Sequence, residues 1–286
     1  MPPDRTIRLD DGRILGWADY GDPSGRPLMY FHGWPSSRLE AEWWDAPARE
    51  EGVRVISIDR PGIGLSTHRR EYRFEDWPRD VAALARALGF ERFAVVGVSA
   101  GAPYAIACAY HLADTVAATG VVSGAGPSDM PDAPKAIKQT GQLIRLARRA
   151  PRLAATMLRI LVWRMRRTAF ANVAKMLGAS DQEIIQRQGT QFFRAGLEEA
   201  VRQGARGPIA SIAIEGESWG FRLEDVKGKV YLWHGEEDHL IPPAVGRYIA
   251  KRLPNCQATF CPGEGHYSTA VNRAREIIGT LCGVGQ

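Results

Sequence analysis

The segment Phe93–Gly101, which reads FAVVGVSAG, constrains the fold of this chain more than any other feature. An apolar run leads into the pattern glycine, x, serine, x, glycine, and a helix-like stretch follows from Pro103. A serine on a sharp strand-to-helix turn projects its hydroxyl, and the flanking glycines remove Cβ atoms that would clash there. The pentapeptide alone arises by chance, but the strand and helix around it make it specific. It predicts a nucleophilic Ser99, with the backbone N–H of Ala100 placed at a helix N-terminus to stabilise negative charge.

Short apolar runs alternate with helix-like stretches through the first 125 residues. Apolar strands that alternate with helices are typical of a parallel sheet with both faces covered. Strand patterns return near the C-terminus, where a last helix is predicted over 271–281. We therefore predict an α/β fold. The predicted strands are a hairpin of 6–9 and 13–20 around Asp10-Asp11-Gly12, then 28–31, 53–58, 93–98, 119–122, 229–233 and 258–261, with a helix over 76–88.

A helical block interrupts this alternation after Gly126. Helices without a strand are predicted from about 135 to 204, and Pro151 is expected to divide the first part into two helices. The sequence Ser-Asp-Gln-Glu at 180–183 predicts a capping box that opens a third helix, through about Arg202. We therefore expect a core domain of residues 1–126 and 221–286, and a helical cap of residues 127–220. One helical stripe of the cap is predicted to hold Leu143, Leu146, Ala147, Ala150, Leu153, Ala154, Met157, Leu158 and Leu161.

Positive charge is concentrated in the same block. The chain carries a net charge of +5, whereas residues 128–215 hold fifteen Lys or Arg against seven Asp or Glu, a balance of +8. A solvated helix face is the default interpretation, and a site for an acidic substrate or membrane surface and a homodimer contact are the alternatives. Nucleic-acid binding is not expected, since no known binding module accompanies the basic residues.

The cellular compartment and the metal and membrane partners of the protein are predicted from sequence features that are missing. The cysteines are scattered and form no C-x-x-C pair, which indicates reduced thiols of a cytoplasmic protein and no metal site. No export signal and no run of about 18 apolar residues is present, so we expect neither secretion nor a transmembrane segment. The four cysteines are Cys108, Cys256, Cys261 and Cys282.

A serine nucleophile needs a base close by and an acid that orients the base. His266 follows the last predicted strand, and Asp238 follows the strand before it. Both therefore lie at the C-terminal ends of strands, where open α/β sheets bind ligands. Asp129, after the sixth strand, is the competing acid. The remaining histidines are interpreted as structural or as weaker candidates for the base, with His32 expected to brace a loop by hydrogen bonds: His32, His68, His111, His234 and His239.

A second hydrogen-bond donor for the developing oxyanion is predicted in Phe31-His-Gly-Trp-Pro35, where the backbone N–H of Trp34 follows a strand. Asp59 and Arg60 are expected to hold a nearby loop without a chemical role. Aromatic side chains pack in the hydrophobic core more often than they line a pocket. The candidates for lining a substrate pocket are His32, Trp163, Phe192, Phe193 and Trp219.

The sequence resembles the α/β-hydrolase fold family with an inserted cap, and the likeness covers essentially the whole chain. Its marks, in family order, are FHGWP at 31–35, DRPGIGLS at 59–66, GVSAG at 97–101, WHGEEDHLIP at 233–242 and GEGH at 263–266. The order Ser99, Asp238, His266 also matches the family. The resemblance favours Asp238 over Asp129, and it implies an eight-stranded, mostly parallel sheet roofed by a helical cap.

The resemblance also implies an activity. Ser99 would attack a carbonyl to form an acyl-enzyme, and water activated by His266 would hydrolyse it, without a metal or organic cofactor. The serine differs from the aspartate nucleophile of the similar dehalogenases and epoxide hydrolases, and HGWP departs from the HGGG loop of lipases. We therefore expect a carboxylesterase that acts on a small to medium, fairly apolar ester. A C–C bond or lactone hydrolase and a ligand receptor with little turnover are the alternatives.

Overall fold

An eight-stranded sheet forms the centre of the computed structural model, which describes residues 4–130, 135–167 and 177–283, with the backbone alone at 135–140, 165–167 and 190–192. The strand order is β1-β2-β4-β3-β5-β6-β7-β8, with β2 antiparallel to β1 and β4 and all other pairs parallel. The predicted mostly parallel sheet is thereby confirmed. The strands are β1 Arg5–Arg8, β2 Ile14–Gly21, β3 Arg26–Phe31, β4 Val53–Ile58, β5 Phe93–Val98, β6 Val116–Val122, β7 Val230–Gly235 and β8 Cys256–Cys261.

The central strands are apolar on both sides because both faces of the sheet are covered. All six residues of β5 are buried, as expected for a parallel strand between helical layers. In β3, Met29 and Phe31 pack into the core on one face, whereas Leu28 and Tyr30 pack into the core on the other. This alternation follows from the two-residue period of a strand.

Helices on both faces complete the two cores. The first core receives side chains from α2, α3 and α9, and the second receives them from α1 and α11. The predicted last helix, α11, begins three residues later than expected and ends one residue later, and a short helix that begins at His266 precedes it. The bounds are α1 Asp45–Glu50, α2 Trp77–Ala87, α3 Ala102–His111, α9 Pro243–Arg252, α10 His266–Asn272 and α11 Ala274–Cys282.

The described residues between β6 and β7 form five helices, and we call them the inserted helices. Four of them, α4, α5, α7 and α8, share a third core, to which α5 contributes Ala154, Leu158 and Val162. Helix α4 ends before Pro151 and α5 begins at it, in agreement with the predicted division. The bounds are α4 Lys135–Arg149, α5 Pro151–Arg167, α6 Ala179–Gln188, α7 Thr190–Ala200 and α8 Arg206–Ile214.

The predicted apolar stripe of this segment is wrong in part. Leu153 and Met157 are 53% and 52% exposed, and Leu161 is also exposed, whereas Val162 is buried. Because α5 is apolar on more than one face, helical spacing alone does not decide which face meets the core.

The helix boundaries around residue 180 also differ from the prediction. Gly178 precedes α6 without a side-chain cap, so the capping box at 180–183 is wrong. The predicted single helix is divided at Gly189, whose φ of +82° lies in a region that favours glycine. The carboxylate of Asp181, within that segment, binds the start of another helix, described below.

Candidate active site

Ser99 lies at the junction between β5 and α3, one residue after the strand ends. Its φ of +54° is uncommon for a residue with a side chain. A Cβ atom at Gly97 would overlap the carbonyl group of Gly101, and one at Gly101 would overlap that of Phe31. The glycines of the pentapeptide are therefore needed because three backbone segments meet at this turn. Such strain is typical of functional sites.

His266 and Asp238 form a buried pair near the C-terminal ends of β7 and β8. Nδ1 of His266 lies 2.8 Å from Oδ2 of Asp238, and both side chains are almost fully buried. Oδ1 of Asp238 accepts the backbone N–H groups of Leu240 and Ile241 at 2.9 and 2.8 Å. These contacts fix the carboxylate so that it orients the imidazole.

The pKa values of the pair diverge as expected for a base held by a carboxylate. Burial alone would lower the pKa of His266, but the negative charge of Asp238 and its hydrogen bond raise it overall. Burial would raise the pKa of Asp238, and His266 holds it below its ordinary value instead. The buried His234, 3.6 Å from Asp238 Oδ2, is engaged with the carbonyl oxygen of Ile241 at 2.7 Å, in keeping with its structural interpretation.

Asp181 of α6 binds the N-terminus of the helix that begins with His266. Its carboxylate accepts the backbone N–H groups of His266, Tyr267 and Ser268, each at 2.9 Å. A Cβ atom at Gly265 would lie 2.6 Å from the same carboxylate, which explains the glycine before His266. Sequence reasoning missed this contact, since 85 residues separate the partners and no local pattern joins them.

Buried Arg60 holds the backbone opposite Ser99. Its guanidinium group donates to the carbonyl oxygens of Gly33 and Ala100 at 2.9 and 3.1 Å. The carbonyl and N–H of a trans peptide point in opposite directions. Because the Gly33 carbonyl faces Arg60, the N–H of Trp34 points away from Arg60, and Trp34 lines the cavity that contains Ser99.

Two further buried groups fix the same loop. Glu40 accepts the N–H of Gly33 at 2.8 Å, and burial raises the pKa of this carboxyl although that hydrogen bond opposes the rise. The ring of His32 lies with Nδ1 2.8 Å from the carbonyl oxygen of Gly33. Burial and the charge of Arg60 hold the pKa of His32 well below its ordinary value, so His32 is neutral and braces the loop.

Ser99 and His266 line one cavity of about 520 Å³ between the sheet and the inserted helices. Its wall is mainly apolar, with a few polar groups, as in small-molecule sites. The lining residues are Trp34, Ser99, Ala100, Ala125, Gly126, Pro127, Ser128, Gly141, Leu143, Ile144, Arg145, Arg148, Ile212, Glu215, Gly216, Leu240, Ile241, His266 and Tyr267.

Several residues predicted for the pocket lie elsewhere, and these interpretations are corrected. Trp163 is 52% exposed on α5, on a face that the helical pattern did not identify. Trp219 is buried against Phe74 and lines a neighbouring cavity, and His32 lies beneath the loop rather than at the wall. The side chain of Phe192 lies outside the described residues.

Within the described ranges, His, Cys, Asp and Glu form no group of three or more that could hold a metal ion. The four cysteines are unpaired. None of the described helices is long and apolar enough to cross a membrane.

The alpha/beta hydrolase family model matches residues 28–278. The chain belongs to this family. Over 272 residues, 91% of both proteins, this hydrolase is 24% identical to the AB hydrolase superfamily protein YisY of Bacillus subtilis (strain 168). It is 34% identical over 100 residues to a non-heme chloroperoxidase of Streptomyces lividans. That match spans 34% of this chain and only 35% of the length of the relative.

Solved structures share the fold of this hydrolase over nearly its whole length. An esterase from Exiguobacterium antarcticum superimposes with a TM-score of 0.71 over 98% of each chain, at 19% identity. At that identity the similarity establishes the fold alone.

Proposed function

We propose that this alpha/beta hydrolase is a carboxylic ester hydrolase in which Ser99 is the nucleophile, His266 the base and Asp238 the acid that orients it. One observation carries the proposal. Ser99, whose backbone is strained, lines the same mainly apolar cavity as His266, and His266 is bound behind it to the buried carboxylate of Asp238. A hydroxyl is a poor nucleophile until a base removes its proton, and a base bound to a carboxylate meets that need.

In the first step, Oγ of Ser99 forms a bond to the ester carbonyl carbon while its proton passes to Nε2 of His266. Nδ1 is engaged with Asp238, which leaves Nε2 for this transfer. As the carbonyl re-forms, the ester C–O bond breaks and the leaving alcohol takes the proton from His266. Water then attacks the acyl-enzyme by the same route, releases the acid and restores Ser99.

Two backbone N–H groups would stabilise the negative oxygen of each tetrahedral intermediate. Ala100 follows Ser99 at the start of a helix, where the first N–H groups have no intrahelical partner. Trp34 directs its N–H away from Arg60 at the cavity wall. Removing a single donor of this kind costs about 100- to 1000-fold in rate in other hydrolases.

The inserted helices would act as a cap that excludes water from the cavity and selects the substrate. The residues Leu143, Ile144 and Ile212 of these helices line it, which favours a small to medium, mainly apolar ester. We further propose that the protein works in the cytoplasm, where its unpaired cysteines would remain reduced.

The test is hydrolysis of p-nitrophenyl esters of increasing acyl length by the wild-type protein, Ser99→Ala and His266→Ala. We expect turnover by the wild type and a loss of several orders of magnitude in both variants. Circular dichroism should show that the variants fold, and a fluorophosphonate should label the wild type but not Ser99→Ala. Equal turnover in Ser99→Ala would contradict the proposal. Labelling of Ser99 without ester turnover would point to a lactone or C–C bond as the substrate.

A further inference from the structure

Glu215 is the acidic residue in the wall of the cavity that contains Ser99 and His266. It directly follows α8, and its side chain is only 8% exposed. Its buried Oε1 has no hydrogen-bond partner among the described residues. A buried carboxyl group that is short of hydrogen bonds costs free energy, so the place of Glu215 in the cavity wall indicates that a ligand would supply one.

The surroundings of Glu215 favour a neutral ligand over a cationic one. The charge of buried Arg60 acts on Glu215, and Tyr104 of α3 interacts electrostatically with both. Arg145 and Arg148 of α4 line the same cavity, so the cavity already holds positive charge. Burial raises the pKa of Glu215 to about 8, although Arg60 opposes the rise. At neutral pH the group is therefore mainly a carboxylic acid, which can donate one hydrogen bond and accept another.

We propose that Glu215 binds a neutral oxygen atom of the substrate, an ether or hydroxyl remote from the scissile carbonyl, and thereby selects oxygen-bearing esters over purely apolar ones. This inference rests on the proposed esterase function. The wall of the cavity also includes the apolar side chains of Leu143, Ile144 and Ile212. An alkyl chain that carries one oxygen atom for Glu215 therefore matches this wall better than a plain alkyl chain.

The experiment compares esters that differ by one atom. The acyl series is p-nitrophenyl heptanoate and its 4-, 5- and 6-oxa analogues, in which an ether oxygen replaces a methylene group. The alcohol series is butyl butyrate against 2-methoxyethyl butyrate, followed by release of butyrate. The quantity measured is the ratio of kcat/KM for the ether ester to that for its alkyl partner, after correction for the ratio in alkaline hydrolysis.

We expect the ratio to favour the ether in at least one series, and to fall roughly tenfold in Glu215→Leu, which removes the donor. Glu215→Gln should keep the preference, because an amide also donates a hydrogen bond. Glu183→Leu is the matched control, since Glu183 is exposed on α6 outside the cavity, and its ratio should equal that of the wild type. Thermal melts of all variants show whether they fold.

Equal ratios in the wild type and Glu215→Leu in both series would overturn the inference while leaving the esterase proposal intact. A preference for an ammonium-bearing ester over the ether would overturn it as well, since that outcome requires a carboxylate. If no ester is hydrolysed, the esterase proposal fails. Calorimetry then measures how tightly Ser99→Ala binds each ester of the same pairs, which still tests whether Glu215 binds the ether oxygen. Tighter binding of the ether ester than of its alkyl partner supports the inference if the difference disappears in the double variant with Glu215→Leu. Equal binding of the two esters contradicts it.

Discussion

Arg60 donates a hydrogen bond of 2.9 Å to the carbonyl oxygen of Gly33, the residue whose peptide group carries the N–H of Trp34. The same guanidinium binds the carbonyl oxygen of Ala100 at 3.1 Å. One buried cation thus joins the two segments that supply the proposed oxyanion hole. The sequence predicts that Arg60 holds a loop, and its contacts with Gly33 and Ala100 agree with that prediction.

We predict that Arg60→Met lowers kcat for p-nitrophenyl esters roughly 10- to 100-fold, because the Gly33–Trp34 peptide loses the group that orients it. KM should change much less, since Arg60 does not line the cavity. Arg54→Met is the control, because Arg54 of β4 is paired with Asp19 of β2, away from the site. A variant of Arg60 with wild-type kcat would contradict the orienting role.

A second prediction concerns Asp181, whose carboxylate accepts three backbone N–H groups at the start of α10. Asp181→Asn places an amide there that can turn only one oxygen toward these donors, so His266 should be held less firmly. We expect kcat/KM to fall about tenfold, as when outer-shell partners of a functional histidine are removed.

The pH profile separates this role from a general loss of stability. The negative charge of Asp181 also raises the pKa of His266, so the acidic limb of kcat/KM should move to lower pH in Asp181→Asn. Glu183→Gln, an exposed neighbour on α6, should leave both the rate and the limb unchanged. A lower rate with an unmoved limb would mean that Asp181 acts only on folding.

The parts of the candidate site that depend on local sequence patterns could be predicted from the sequence. Ser99 was predicted from a strand, a turn and two glycines, and Asp238 and His266 were predicted from their places after successive strands. Asp181 and Glu215 escaped prediction because their roles depend on how the inserted helices pack against the sheet. The same reason explains α5, where Leu153 and Val162 are equally apolar and only tertiary packing decides that Val162 is buried.

The carboxylate of Asp238 also predicts how activity depends on pH. Burial alone would lower the pKa of His266, but Asp238 raises it overall. Because the base must be neutral to accept the Ser99 proton, kcat/KM should rise with pH through a midpoint above about 6.5. In Asp238→Asn the positive shift is lost, so the residual activity should rise through a lower midpoint. A wild-type midpoint below that of the variant would contradict this assignment.

Glu215 predicts a pH dependence of folding stability that is separate from catalysis. Its pKa is about 8 in the folded protein, raised by burial, against about 4.3 in an unfolded chain. Between these values the folded state holds a proton that the unfolded state releases, so the unfolding free energy falls as pH rises. The full difference amounts to about 3–5 kcal/mol above pH 8.

Glu215→Gln removes this titration, so its stability relative to the wild type should increase from pH 5 to pH 9 by up to that amount. Urea unfolding at each pH measures the difference, with Glu183→Gln as the control because Glu183 is exposed. The control should follow the wild type across the whole range. If Glu215→Gln also follows the wild type, the carboxyl is solvated in the folded protein, and it is then free to bind a cation instead of donating to an oxygen atom.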